Sequence, residues 1–141
     1  MEKDFEVLRF PVERPGNRLK LDGYQIAITR TGCGEKSSRQ YHSILLSDNV
    51  GNIVRSKSLT HVRLHVEKYT RSIFMLFLRS DNSDAAFKAN TSKHVIINNR
   101  GLVNWLAENV LHLDGNFRQV RVMLSDNLSN SDDYATFKLN F

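Results

Sequence analysis

The amino-acid sequence predicts an α+β domain, built mostly from antiparallel β-hairpins in one or two sheets, with a single main helix at about residues 99–113. Two observations predict this class. Short segments of alternating apolar and polar residues, bounded by turn residues, recur along the chain and are typical of half-buried strands. The clearest run of apolar residues at helical spacing comes late in the chain, after Asn99.

A single domain spanning residues 1–141 is expected. The chain has 141 residues, of which 40% are hydrophobic and 25% charged, a balance typical of globular proteins. No linker rich in Gly, Ser or Pro divides it. A chain of this size buries enough surface to fold without a disulfide or a structural metal.

The first half of the chain predicts short strands. Residues 5–10 form one candidate, which Pro11 ends. Residues 24–30 and 41–46 form a second and a third candidate, which we expect to pair as a hairpin across the polar loop 31–40. Residues 49–52 (NVGN) have the composition of a turn.

Residues 59–78 fit two structures. In segment 60–66, apolar and polar residues alternate, which favours a strand, although Leu59, Val62 and Val66 also fit helical spacing. We favour the strand, because Leu64 falls outside the helical stripe. Segment 73–78 (IFMLFL) is apolar at every position and predicts a central strand covered on both faces.

The second half predicts a turn at 80–83, a returning segment at 85–89 and a strand at 93–98. The main helix follows, with Asn98 or Asn99 as its cap and Asp114-Gly115 as its stop. Segments 119–124 and 134–141 then form a last hairpin around an acidic, serine-rich loop. Phe74, Phe77 and Trp105 are expected in the core, and Tyr41, Tyr69 and Tyr134 at the surface.

Catalytic, cofactor and metal sites are not predicted. The loop around Lys36 lacks the glycine spacing of a phosphate-binding loop, and a lone Cys33 has no evident base beside it. His61 and His65 would lie about 13 Å apart on a strand, too far to share one metal ion. We therefore expect a protein that is not an enzyme and that needs no cofactor.

The predicted location is a reducing compartment, the cytoplasm or nucleus. A single cysteine excludes an internal disulfide. The first ten residues carry acids among the apolar positions, unlike a signal peptide, and no apolar run is long enough to cross a membrane. No membrane partner is expected.

Positive charge is concentrated in the middle of the chain. The net charge is +5, and residues 51–100 contain nine Lys or Arg against three Asp or Glu. Such asymmetry bears on binding partners rather than on fold. The candidate binding residues on a basic sheet face are Arg55, Lys57, Arg63, Arg71, Arg79, Lys88, Lys93 and Arg100.

Two functions fit this charge distribution equally well. The first is a non-catalytic domain that binds DNA or RNA through the basic sheet face, by charge and counterion release. The alternative is a protein-binding inhibitor or adaptor that docks on an acidic or nucleic-acid-binding surface of an intracellular partner. Exposed strand edges make homodimerisation a further expectation.

Overall fold

The computed structural model describes residues 21, 23–32, 41–79, 85–90 and 94–141, which form a mostly β structure with two short helices. The second helix, Arg100–Leu106, continues directly into one π-helical turn, Ala107–Leu111. The elements in chain order are β1 (Gln25–Thr31), β2 (Tyr41–Leu46), α1 (Asp48–Ser56), β3 (His61–Val66), β4 (Ile73–Leu78), β5 (Ala85–Ala86), β6 (Lys88–Ala89), β7 (Val95–Asn98), α2 (Arg100–Leu106), β8 (Phe117–Leu124) and β9 (Tyr134–Asn140).

One antiparallel sheet contains all nine described strands, in the order β5-β3-β4-β9-β8-β1-β2-β7-β6. The two outermost strands are consecutive in the chain and are separated only by Phe87. Ala85 and Ala86 pair with β3, whereas Lys88 and Ala89 pair with β7. The five-residue segment 85–89 therefore joins both edges of the sheet and nearly closes it on itself.

Alternation along the strands separates a buried inner face from an outer face. On β4, Ile73, Met75 and Phe77 are buried, and the residues between them are half-buried. Phe77 lies at the centre of the core, with its ring edge-on to the rings of Phe87 and Phe137 at centroid distances of 5.6 and 5.8 Å. The hydrophobic effect on these inner side chains is the main force that holds the sheet closed.

A helix covers each end of the nearly closed sheet. Helix α1 follows β2 and packs beside Val95, at the start of β7, with Val50 and Val54 fully buried. Helix α2 follows β7 and reaches the end of β1, where Asn104 accepts a hydrogen bond from Arg30. These two ends are called the α1 end and the α2 end.

Helix α1 corrects the prediction of a turn at residues 49–52. Asn49, Gly51 and Asn52 all have low helix propensity, so the local sequence argues for a turn. Burial of Val50 and Val54 against the core overrides that preference. The described residues therefore contain two short helices, where the sequence predicted one main helix.

Several predicted elements are confirmed. Residues Tyr41–Leu46 pair with β1, segment 59–78 contains two strands, and β8 pairs with β9. Asn99 caps α2, since its Oδ1 accepts a hydrogen bond from the Leu102 amide at 2.8 Å. The expected strand 5–10, the loop with Cys33 and the turn 80–83 lie outside the described residues.

Strand β4 is central, but only one of its two faces is fully buried. Phe74, Leu76 and Leu78 point outward and are only half-buried. No helix packs over this part of the sheet within the described ranges, because both helices lie at its ends. The prediction that Phe74 belongs to the core is therefore wrong, whereas Trp105 is half-buried and packs against the core.

Candidate nucleic-acid interface

Nine side chains of β3, β4 and β9 form a continuous surface, called the outer face. Strand register arranges them in three rows, because each residue of β4 has one direct partner on either side. Direct partners in antiparallel strands lie about 4.5–5.5 Å apart between Cα atoms. The rows are His65–Phe74–Lys138, Arg63–Leu76–Thr136 and His61–Leu78–Tyr134.

The outer face has no negative charge of its own. Strands β3, β4, β8 and β9 contain no Asp and no Glu. Arg63 lies on one side of the central β4 stripe and Lys138 on the other, so cations border it on both sides. The positive potential of this face therefore comes from the strands themselves rather than from mobile loops.

An apolar stripe runs along the middle of the outer face. Phe74, Leu76 and Leu78 are half-buried, and the neighbouring Tyr134 is 44% exposed. Antiparallel sheets usually place polar residues on an uncovered face. A row of large apolar side chains at such a position is typical of a binding surface.

The same surface continues onto β8. Met123 is the register partner of Asn140 at the end of β9 and is 51% exposed. Arg121 is exposed and points the same way, since Val122 between them is buried. Positive charge thus extends across a fourth strand.

Four of the sequence-predicted binding residues lie at the α1 end. Arg55 and Lys57 lie at the carboxyl end of helix α1, Arg79 follows β4, and Lys88 lies on β6. Arg79 contacts the Lys57 carbonyl oxygen through Nε at 2.9 Å, so these two residues are brought together. Arg55 donates to Asn52 Oδ1 at 2.7 Å.

The remaining predicted residues are dispersed. Arg63 lies on the outer face itself. Arg71, in the turn between β3 and β4, and Arg100, the first residue of α2, both lie toward the α2 end, as the strand directions require. Lys93 lies outside the described residues. The predicted set therefore does not form one contiguous patch.

Acidic residues near the rim of the outer face bind their own neighbours. Asp133 accepts from Arg79 Nη1 at 3.2 Å, and Lys57 Nζ donates to the Ser131 and Tyr134 carbonyl oxygens at 2.7 and 3.2 Å. A hydrogen bond to Asp126 raises the pKa of Tyr24. Loop 125–133 is thereby held against the α1 end.

Sequence reasoning missed Phe74, Arg121 and Lys138 as surface candidates. Phe74 lies in a continuous apolar run, which predicted burial on both faces. The two cations lie outside the basic middle of the chain. The alternation in Tyr134–Asn140 (YATFKLN) already indicates that Lys138 shares a face with Tyr134. Tyr41, Tyr69 and Tyr134 are exposed, as predicted, at 54, 94 and 44%.

A buried cation, Arg30, lies at the α2 end. Arg30 is 5% exposed and donates to the carbonyl oxygens of Gly115 and Leu113 at 2.8 and 3.2 Å. Its guanidinium carbon lies 5.3 Å from the centre of the Phe117 ring. These contacts use the guanidinium to hold the segment after α2 in place, which is a structural role.

Within the described ranges, no cluster of three or more His, Cys, Asp or Glu side chains could hold a metal ion. None of the helices in the same ranges combines the length and the apolar character needed to cross a bilayer. Comparisons with protein-family models, with curated proteins and with solved structures find no match to this chain. Functional inference therefore rests on the geometry of the site.

Proposed function

We propose that this protein is a non-catalytic nucleic-acid-binding domain that holds the phosphate backbone across the outer face. The observation that supports it best is the charge of four adjacent strands, which contain Arg63, Arg121 and Lys138 but no acid. Phosphates are attracted to such a surface, and their condensed counterions are released on binding.

The position of the charges supports this function as well. The cations flank the apolar stripe instead of interrupting it, so a phosphate chain could follow either border while its bases lie toward Leu76 and Phe74. Asp133 and Asp126, two of the acids near this surface, interact with Arg79 and Tyr24. Their repulsion of phosphate is correspondingly reduced.

The test is a titration of labelled DNA and RNA, single-stranded and duplex, followed by fluorescence anisotropy at salt concentrations between about 50 and 200 mM. The double variant Lys138→Gln, Arg121→Gln should weaken binding and reduce the slope of log K against log salt by about one per lost phosphate contact. The double variant Arg55→Gln, Arg100→Gln is the matched control, since it also removes two positive charges, one from each helix and none from the outer face. If no nucleic acid binds at low salt, the proposal is wrong.

One observation favours the alternative, a module that binds an acidic protein. Leu76, Leu78 and Met123 are aliphatic and partly exposed, and such side chains pack well against another protein. This alternative predicts a stoichiometric protein complex that persists after nuclease treatment. Its affinity would fall when Leu76 is replaced by serine.

A further inference from the structure

We propose that the ligand of the outer face is single-stranded nucleic acid, with bases stacked on Phe74 and Tyr134. This inference rests on the proposed function and names its substrate class. It follows from the side-chain chemistry of the three rows. Net charge does not distinguish the two ligands, because a positive surface attracts single strands and duplexes alike.

The apolar stripe argues against a duplex ligand. In a duplex the bases are stacked inside, so phosphates and sugars would face Phe74, Leu76 and Leu78. The charged phosphates would then lose water against half-buried apolar side chains that offer them no hydrogen bond. A single strand can turn the flat faces of its bases onto the stripe and leave its phosphates at the border.

The aromatic side chains are placed for stacking. Phe74 is the direct partner of Lys138, so one aromatic ring and one cation lie side by side at one end of the stripe. At the other end Tyr134 is the direct partner of Leu78. Each end therefore presents an aromatic ring, and Lys138 adds a phosphate-binding group beside the first.

The spacing of the two rings limits how many bases can stack. Phe74 and Leu78 are four residues apart on one strand, which corresponds to about 13 Å. Tyr134 lies one strand farther, so the Cα atoms of Phe74 and Tyr134 are separated by roughly 14 Å. Aromatic side chains on other sheet platforms hold two or three bases. We infer a site of that size, with Leu76 beneath the middle of it.

The experiment compares three probes of equal length, about eight nucleotides: an oligothymidylate, the same chain without bases, and a duplex. The single strand should bind at least ten times more tightly than the abasic chain or the duplex. Phe74→Leu and Tyr134→Leu should each weaken single-strand binding by about 5- to 100-fold and leave abasic binding unchanged. Lys138→Gln should weaken both single-stranded probes.

Tyr41→Leu is the control for loss of an exposed aromatic residue. Tyr41 is 54% exposed on β2, which is separated from β9 by β8 and β1. If the Phe74→Leu variant does not fold, Tyr134→Leu still tests stacking, because Tyr134 is the more exposed of the two residues. Equal binding of the duplex or of the abasic chain would overturn the stacking inference but leave the proposed function intact. Absence of binding to all three probes would overturn both.

Discussion

Arg30 and His42 are direct cross-strand partners on β1 and β2, and both side chains are buried. Burial, and then the positive charges of Arg100 and Arg30, lower the pKa of His42. A hydrogen bond with Asn104 acts in the opposite direction. The folded protein therefore favours neutral His42.

This arrangement predicts a loss of stability in mild acid. An unfolded histidine takes up a proton near its ordinary pKa of about 6.5, whereas folded His42 does so only at lower pH. The unfolded chain consequently binds more protons, and the free energy of unfolding should fall as pH decreases below about 6.5. Urea midpoints at pH 7.5 and 5.5 should differ more for the native protein than for His42→Gln. If the urea midpoints of the two proteins changed equally with pH, protonation of His42 would not be the cause of the lost stability.

Removal of the buried guanidinium should be costly. Arg30→Met leaves the Gly115 and Leu113 carbonyls and the Asn104 side chain without these donors. The free energy of unfolding should fall by about 2–4 kcal/mol, measured by urea denaturation. Arg118→Met, at an exposed position on β8, should change it by less than about 0.5 kcal/mol. Similar losses in the two variants would contradict a structural role for Arg30.

The two faces of β4 should respond differently to truncation. Phe77→Ala removes a fully buried ring that contacts Phe87 and Phe137, so we expect a loss of about 3–5 kcal/mol. Phe74→Ala removes a half-buried ring from the outer face and should cost roughly 1–2 kcal/mol. Thermal or urea unfolding measures both. The reverse order would mean that the strand register is wrong.

Helix α1 should tolerate a stabilising substitution. Gly51 lies within the helix, and a Cβ atom there would lie 3.5 Å from Val95 Cγ2, an ordinary van der Waals contact. Gly51→Ala should therefore raise the free energy of unfolding by about 0.5–1 kcal/mol. Gly23→Ala is the opposite control. Because Gly23 has a φ of +65°, alanine at this position should lower the free energy of unfolding. Destabilisation by Gly51→Ala would contradict the packing of α1 described above.

Charge at the rim should tune binding if the proposed function holds. Asp133→Asn removes the carboxylate paired with Arg79 and so raises the net charge near Tyr134 by one. Affinity for nucleic acid should rise a few-fold at low salt, and stability should change by only about 0–1 kcal/mol because the pair is exposed. Asp114→Asn makes the same charge change beyond α2. An equal gain from Asp114→Asn would indicate an effect of net charge alone.

Local pattern predicted the strands well and the helices less well. In β3 the alternation and the β-branched content favoured a strand, and in β4 the short, continuous apolar run did so. In α1 the low propensities of Asn49 and Gly51 concealed a helix whose apolar side chains the core buries. The helical segment that begins at Arg100 also ends earlier than predicted. Its π-helical turn ends at Leu111, because His112 adopts a left-handed conformation, whereas the predicted stop was Asp114-Gly115.

The outer face could be predicted only in part. Alternation showed that His61, Arg63 and His65 share a face. It could not show that β9, from the far end of the chain, would bring Lys138 beside Phe74. Pairing between strands distant in sequence depends on the whole topology, whereas the basic middle of the chain is a property of sequence position alone.

The strand order has a consequence for synthesis. Ile26 on β1 pairs with Val122 on β8, and β4 pairs with β9, so the centre of the sheet joins segments made early with segments made late. At typical translation rates of about 5–20 residues per second, on the order of 5–20 seconds pass between the synthesis of β1 and that of β8. During that interval the β1–β2 hairpin exposes Ile26 and Ile28 to solvent or to a chaperone, and native closure must begin after β8 has emerged from the ribosome.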